Sequence, residues 1–360
     1  MTIIDAMKSS SRPRREIRGR AVVTTCLCAA VAVALLAAGS GAVAITPAQV
    51  LQLLLAPLDV DLGIATDARH GLVFWSIRLP RVLLAILVGA SLGLAGAVMQ
   101  GLFRNPLADP GLIGVSSSAA LAAVATIVVG VHGVGWISPE LRPYALPAAA
   151  FAGGLAGTLV VWRIGTVEGR TMTATTLLAG IAVNAVAQAG IGFLVFVSDE
   201  QQLRDLSFWL LGSLAGTTWA TLLPAAAVML VPLLVLPLLA RALNALLLGE
   251  REALHLGVST QAVSRLAITL CAVAVGGAVA VSGVIGFVGL VVPHIVRLLT
   301  GPDHRHVLPG AMALGAALLL GADLVSRTVV LPAELPIGIV TALAGGPFFV
   351  WLIRRRRDWG

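Results

Sequence analysis

Apolar residues in this chain come in unbroken blocks, not at the alternating spacing of three and four that marks a helix with one wet face. Ten blocks have a length of 17 to 25 residues, near the ~20 that a helix needs to cross a bilayer. They lie at 21–45, 80–100, 111–130, 144–162, 174–197, 220–240, 266–282, 284–300, 308–326 and 336–353. The thinnest boundary is Ser282-Gly283, between the seventh block and the eighth. Block 80–100 follows Arg78 and Arg81 around Pro80, carries glycines at 89, 93 and 96, and stops at Arg104-Asn105-Pro106. Glycine at that spacing lets a second helix approach closely. A soluble protein can bury one such helix but not ten in succession. The pattern predicts an all-α polytopic membrane protein with ten transmembrane helices.

Composition agrees, with 58% apolar residues, 11% charged residues and a mean hydropathy of +0.98. Charge adds orientation. With the N-terminus cytoplasmic, 18 of the 24 basic residues fall inside, leaving Arg69, Arg78, Arg81, Arg142, Arg204 and Arg327 outside. That obeys the positive-inside bias, and an even span count returns the basic tail 354–360 to the side of the basic segment 1–20. The membrane domain is then 21–353. The net charge of +7 reports topology and contact with anionic lipid heads, not nucleic-acid binding, because no basic run is interleaved with aromatics. A basic lead, an apolar run and Gly41-Ala42-Val43-Ala44 also fit a cleaved signal peptide, but the run of about 25 residues exceeds the usual length and the even count needs it. Cys26, Cys28 and Cys271 all fall in spans and read as small packing residues.

Between the blocks lie an external loop at 46–79, a tight internal turn at 101–110 and a second external excursion at 198–219, whose apolar piece Leu206 to Gly212 is too short to span. Asn184 and Gln188 sit four apart on one face of the fifth span, toward a partner helix or a wet path. The largest inner polar block, about 249–265, reads as two short helices divided at Gly257, with Ser259 as N-cap of the second. Its Ala253, Leu254 and Leu256 make an apolar docking side. A shift of 187 positions aligns Gly96 with Gly283, Pro106 with Pro293 and Gly114 with Gly301, suggesting an inverted repeat of five helices.

Several chemistries are excluded. The only lysine, Lys8, lies outside any glycine-rich loop, so the chain carries no Walker A phosphate loop. No nucleophile elbow, His-Glu-x-x-His or metal-spaced Cys/His cluster is present. His304 and His306 read as surface histidines, and His70 and His132 as loop histidines. Asp323, four residues before Arg327, reads as half of an i,i+4 pair near the surface, and no other acid lies deep in a predicted span. That counts against a proton-coupled carrier.

Long ordered stretches then resemble one family. IRLPR (77–81), GAVMQGLFRNPLADPGLIGVSS (96–117), LLAGIAVNA (177–185), LGEREALHLGV (248–258), SGVIGFVGLVVPHIVRL (282–298), DHRHVLPG (303–310), GADLVSRTV (321–329) and ELPIGIVTALAGGPFFVWLI (334–353) resemble the permease subunits of ATP-binding-cassette importers for iron–siderophores, haem and cobalamin. The wording is closest to haem importers. The resemblance implies a homodimer in a bacterial inner membrane with both termini cytoplasmic. It also implies two separate ATPases that bind ATP and Mg, a periplasmic binding protein, and no cofactor or metal in this chain. Arg78, Arg81 and Arg327 match the positions that dock the binding protein. Glu250, Glu252, Ala253, Leu256 and Gly257 match the ATPase coupling segment. Asn105, Leu107 and Thr173 match an inner gate, and Asn184 and Gln188 are the candidate path residues. Ala174 stands where some relatives carry a hydroxyl residue.

Overall fold

The computed structural model describes residues 3–41, 43–133, 138, 140–167, 170–330 and 332–357. Trp136 and the side chain of His132 lie outside the described residues.

Helix α1 (Ile3–Gly39) runs without a break through residue 20, so the basic lead and the first apolar block form one element. Outside it come the short α2 (Pro47–Leu55), started by a Thr46–Gln49 capping box, and α3 (Ala68–Val73). A π-helical turn at Phe74–Arg78 leads into α4 (Leu79–Leu102). The chain continues through α5 (Val115–Gly133), α6 (Arg142–Gly165) and a two-residue ladder, β1 (Thr166–Val167) with β2 (Arg170–Thr171). Then follow α7 (Thr173–Val197), the surface helix α8 (Glu200–Leu211), α9 (Trp219–Val235) and, after a 3-10 turn, α10 (Ala240–Leu246). The last five are α11 (Glu250–His255), α12 (Thr260–Ser282), α13 (Val288–Thr300), α14 (His304–Ser326) and α15 (Ile337–Arg357).

Every predicted block corresponds to a helix, but they are not ten equal spans. Among the described residues, seven helices are long and apolar enough to cross a membrane; α5, α13 and α15 are shorter apolar helices. At 1.5 Å per residue, the 13 residues of α13 cover about 20 Å, short of a ~30 Å hydrocarbon core. Two predicted blocks therefore begin too early. Residues 110–113 are a 3-10 turn ahead of α5, and 283–287 are non-helical ahead of α13.

Helix α4 is the axis of the bundle, buried along most of its length and packed on α14, α12 and α13. Its three glycines do what their spacing predicts. A Cβ on Gly89, Gly93 or Gly96 would lie 2.3, 2.3 and 1.8 Å from the carbonyl oxygens of Gly315, Ala311 and Gly289. The 187-residue register does not survive. It pairs Gly114, at the start of α5, with Gly301, at the end of α13, and Pro106, in a turn, with Pro293, inside a helix. The element order does repeat as two sets of five, α1 with α4–α7 and α9/α10 with α12–α15.

Candidate functional site

The helices alternate in direction, so residues 103–104, 166–172, 247–259 and 301–303 share one face with the start of α1 and the end of α15. The loops at 40–78 and 327–336 share the other.

On that other face the three predicted docking arginines turn inward. Arg78 is 4% exposed and donates from Nη1 to the carbonyls of Ala38 (2.8 Å) and Gly39 (2.6 Å), and from Nη2 to that of Val43. Arg327, 8% exposed, donates to the carbonyls of Ser40 (3.1 Å) and Ala37. The last carbonyls of a helix lack intrahelical donors and carry its negative pole, so two guanidiniums there cap α1. Arg81 donates from Nε to Asp323 (2.9 Å) and from both Nη atoms to Glu334 (2.9 Å each). Asp323 is 1% exposed and also meets Arg327 at 3.4 Å, so the simple surface pair expected from the sequence is a buried node shared by two arginines.

Glu334 is the wet end of this network, with its carboxyl held below the usual glutamate range by the Arg81 hydrogen bonds and charge. A depressed carboxylate contributes stability above its unfolded value, and that contribution is lost as pH falls through the folded value. The Tm of Glu334→Gln is accordingly expected to lie below that of the native chain by a constant amount between pH 5 and 8. The gap should close below about pH 4. A gap independent of pH down to 3 would remove the charge from this account.

Midway through the bundle the two non-helical segments meet. The sequence predicts a tight internal turn at 101–110 and a span from 111, yet Asn184 Nδ2 donates to the Gly111 carbonyl (3.2 Å) and Asn184 Oδ1 accepts from the Ser117 hydroxyl. Asn184 lies eleven positions past Thr173, about 16 Å along α7, so the segment re-enters the bundle. Gly180 makes room for it: a Cβ there would be 1.7 Å from the Leu112 carbonyl. Across a cavity of about 270 Å³ stand Val284, Gly286 and Phe287. Irregular backbone at this depth is tolerated where protein covers it or where it lines a cavity. Asp109 lines the same cavity, its Oδ1 accepting the Gly111 N–H at 2.7 Å, and has no salt bridge among the described residues. The sequence reading that no acid besides Asp323 lies deep in the bundle is thus corrected. Gln188, although on Asn184's face, is not drawn into this junction and stays exposed.

On the face that holds the start of α1, the predicted coupling block is one short helix, not two. α11 ends at His255, Gly257 takes a positive φ of 79°, and the second piece is the first turn of α12 itself; Ser259 precedes it without a side-chain cap. Ala253 is fully buried, whereas Leu248, Leu254 and Leu256 are 66, 57 and 63% exposed, and Glu250, Glu252 and Gly257 are exposed too. Thr173 and Glu250 line one small cavity with Arg104, Thr171 and Gln261, and Gln261 Oε1 accepts the Thr171 N–H at 2.9 Å. The residues predicted for gate and coupling are therefore neighbours. Asn105 accepts the Leu107 N–H (2.9 Å), which leaves Leu107 53% exposed. His304 is not a surface residue: it is wholly buried at the start of α14, its backbone N–H (2.9 Å) and Nδ1 (2.8 Å) on Asn244 Oδ1, with Asn244 Nδ2 donating to Asp303. Asn244, Gln261 and Asp109 were not singled out by sequence; each stands alone among apolar or turn residues, with no spacing that marks it.

A family model described as the FecCD transport family matches residues 28–355. A hemin transport system permease protein of Yersinia pestis is 50% identical over 287 residues, 79% of this chain and 84% of that one. A cobalamin import system permease protein of Halobacterium salinarum is 45% identical over 281 residues, 78% and 73% of the two chains. A solved metal-chelate type ABC transporter in an inward-facing conformation superposes with a TM-score of 0.79 at 32% identity, covering 93% of this chain and 99% of that one.

Proposed function

The chain belongs to the FecCD transport family, and from that premise we propose that it is the permease of an ATP-driven importer carrying haem, or another iron chelate such as a ferric siderophore, from periplasm to cytoplasm by alternating access. It is a transport component with no catalytic residues of its own. It pairs with a second copy in a bacterial inner membrane, termini cytoplasmic, with two ATPase subunits inside and a periplasmic binding protein outside. ATP and Mg belong to the ATPases. The observation that carries the reading is α11: a helix pinned by buried Ala253 that presents Leu248, Leu254 and Leu256 to a partner beside the Thr173 turn. Binding-protein docking at Arg78, Arg81 and Arg327 requires each to exchange an internal acceptor for a partner carboxylate. Arg81, whose acceptor Glu334 is the most exposed, is the one placed to do so. The haem assignment rests on the 50% identity to the hemin permease; cobalamin is the alternative that the 45% relative supports.

Asp109 keeps an ATP-independent carrier as the second reading, because a deep carboxylate is what proton coupling uses. Proteoliposomes separate the two. Uptake is expected only with the partner ATPase and hydrolysable ATP, for haem with a haem-binding protein and not for cobalamin with its own. Uptake driven by a proton gradient alone would overturn the importer reading, and cobalamin uptake would overturn the haem assignment.

A further inference from the structure

α1 leans on α14 and leaves a cleft against α4. The cleft is a cavity of about 530 Å³ with an almost wholly apolar lining, from Val23 and Pro309 at one end, past Ala34 and Ile86, to Val50 and Phe74 at the other. From Val23 to Ala38 it follows α1 for fifteen residues, about 22 Å, more than one leaflet's share of a ~30 Å bilayer core. A helix, 10–12 Å across, is too wide to enter, and a polar solute finds nothing there to bond. One extended hydrocarbon chain fits. The end at Val23 is marked by charge: Gly19 packs on the ring of His306, which brings Arg18 and Arg20 of α1 and Arg305 of α14 to the same end, all exposed. Arg20 already holds Glu16, at 2.7 Å, whereas Arg18 and Arg305 make no ion pair among the described residues, Asp303 being the acid that faces Arg305.

We propose that this cleft is a binding site for one acyl chain of an anionic phospholipid, whose phosphate sits between Arg18 and Arg305 and whose tail fills the space between α1 and α4. The lipid then acts as a wedge that sets the spacing of α1 from the axial helix. Chain length favours a tail over a headgroup alone, and the basic end favours phosphatidylglycerol over a zwitterionic lipid.

The native chain in nanodiscs of equal phosphatidylglycerol and phosphatidylcholine, doped with either lipid carrying a diazirine at the tail end, tests this. After irradiation, peptide mapping is expected to place most label on 23–38 and 74–90, several-fold more from the anionic probe. Ala34→Phe should lower that label several-fold without changing label on α7, whose Phe193 and Phe196 are exposed in the single chain and lie outside the cleft. Arg18→Gln with Arg305→Gln should equalise the two probes. Label spread evenly over α1, α4 and α7 overturns the cleft as a site. Equal label from both probes on the native chain overturns the phosphate contact, as does label from cross-linked copies of the chain in place of lipid. The native-chain map decides the matter even where Ala34→Phe fails to fold.

Discussion

Asp323→Ala is expected to cost about 3 kcal/mol and to lower the Tm by on the order of 5 °C. Asp323 is 1% exposed and, among the described residues, is the one carboxylate in ion-pair contact with both Arg81 and Arg327, themselves 11 and 8% exposed. Removing one partner of a buried pair leaves an uncompensated charge, which is worse than removing both. The loss stays near the low end of the usual ~3–5 kcal/mol, because Arg81 keeps Glu334 and Arg327 keeps the α1 carbonyls. Asp323→Asn combined with Arg327→Gln should recover part of the loss, the signature of coupling between neighbours. The measurement is thermal unfolding of the detergent-solubilised chain. An unchanged Tm for Asp323→Ala would mean that water reaches the node and screens it.

The same node explains how much of this protein was legible in its sequence. Span positions follow from block length, since only a helix satisfies its own backbone in lipid, and a twenty-residue apolar run has one structural meaning. Gly89, Gly93 and Gly96 were readable for the same reason: a helix neighbour needs space, and only one face offers it. What the sequence does not carry is where a charged side chain points. Arg78 and Arg327 lie at span ends in either topology, but their carbonyl partners belong to α1, about 40 and 290 positions away. Re-entrance of 105–114 is hidden in the same way. Arg-Asn-Pro and Asp-Pro-Gly spell turns whether the turn lies at the surface or beside Asn184, and only long-range packing distinguishes the two. His304 reads as a loop residue until Asn244 takes its nitrogen. The shift of 187 failed because loops of unequal length separate the equivalent helices, so a fixed offset drifts out of register after the first pair.

The largest functional effect is expected at the exposed edge around α11. Leu254→Ser with Leu256→Ser removes two side chains that are 57 and 63% exposed in the free chain, so the fold and its Tm are expected to stay as they are. If an ATPase groove buries them, each contributes up to roughly 1.5 kcal/mol of apolar burial. The pair would then weaken association by about a hundredfold. Transport in proteoliposomes should fall with it, while the ATPase keeps its own basal hydrolysis. The converse substitution, Ala253→Glu, buries a carboxylate where Ala253 has no exposed surface and lifts α11 from the bundle. It should abolish coupling even though every exposed contact residue is retained. Motion of α11 then has a short route inward: Glu250 and Thr173 line one cavity, and Gln261 joins the Thr171 backbone to the first turn of α12. Normal coupled transport in the double-serine variant would show that no partner grips this helix, and the gate would need another lever.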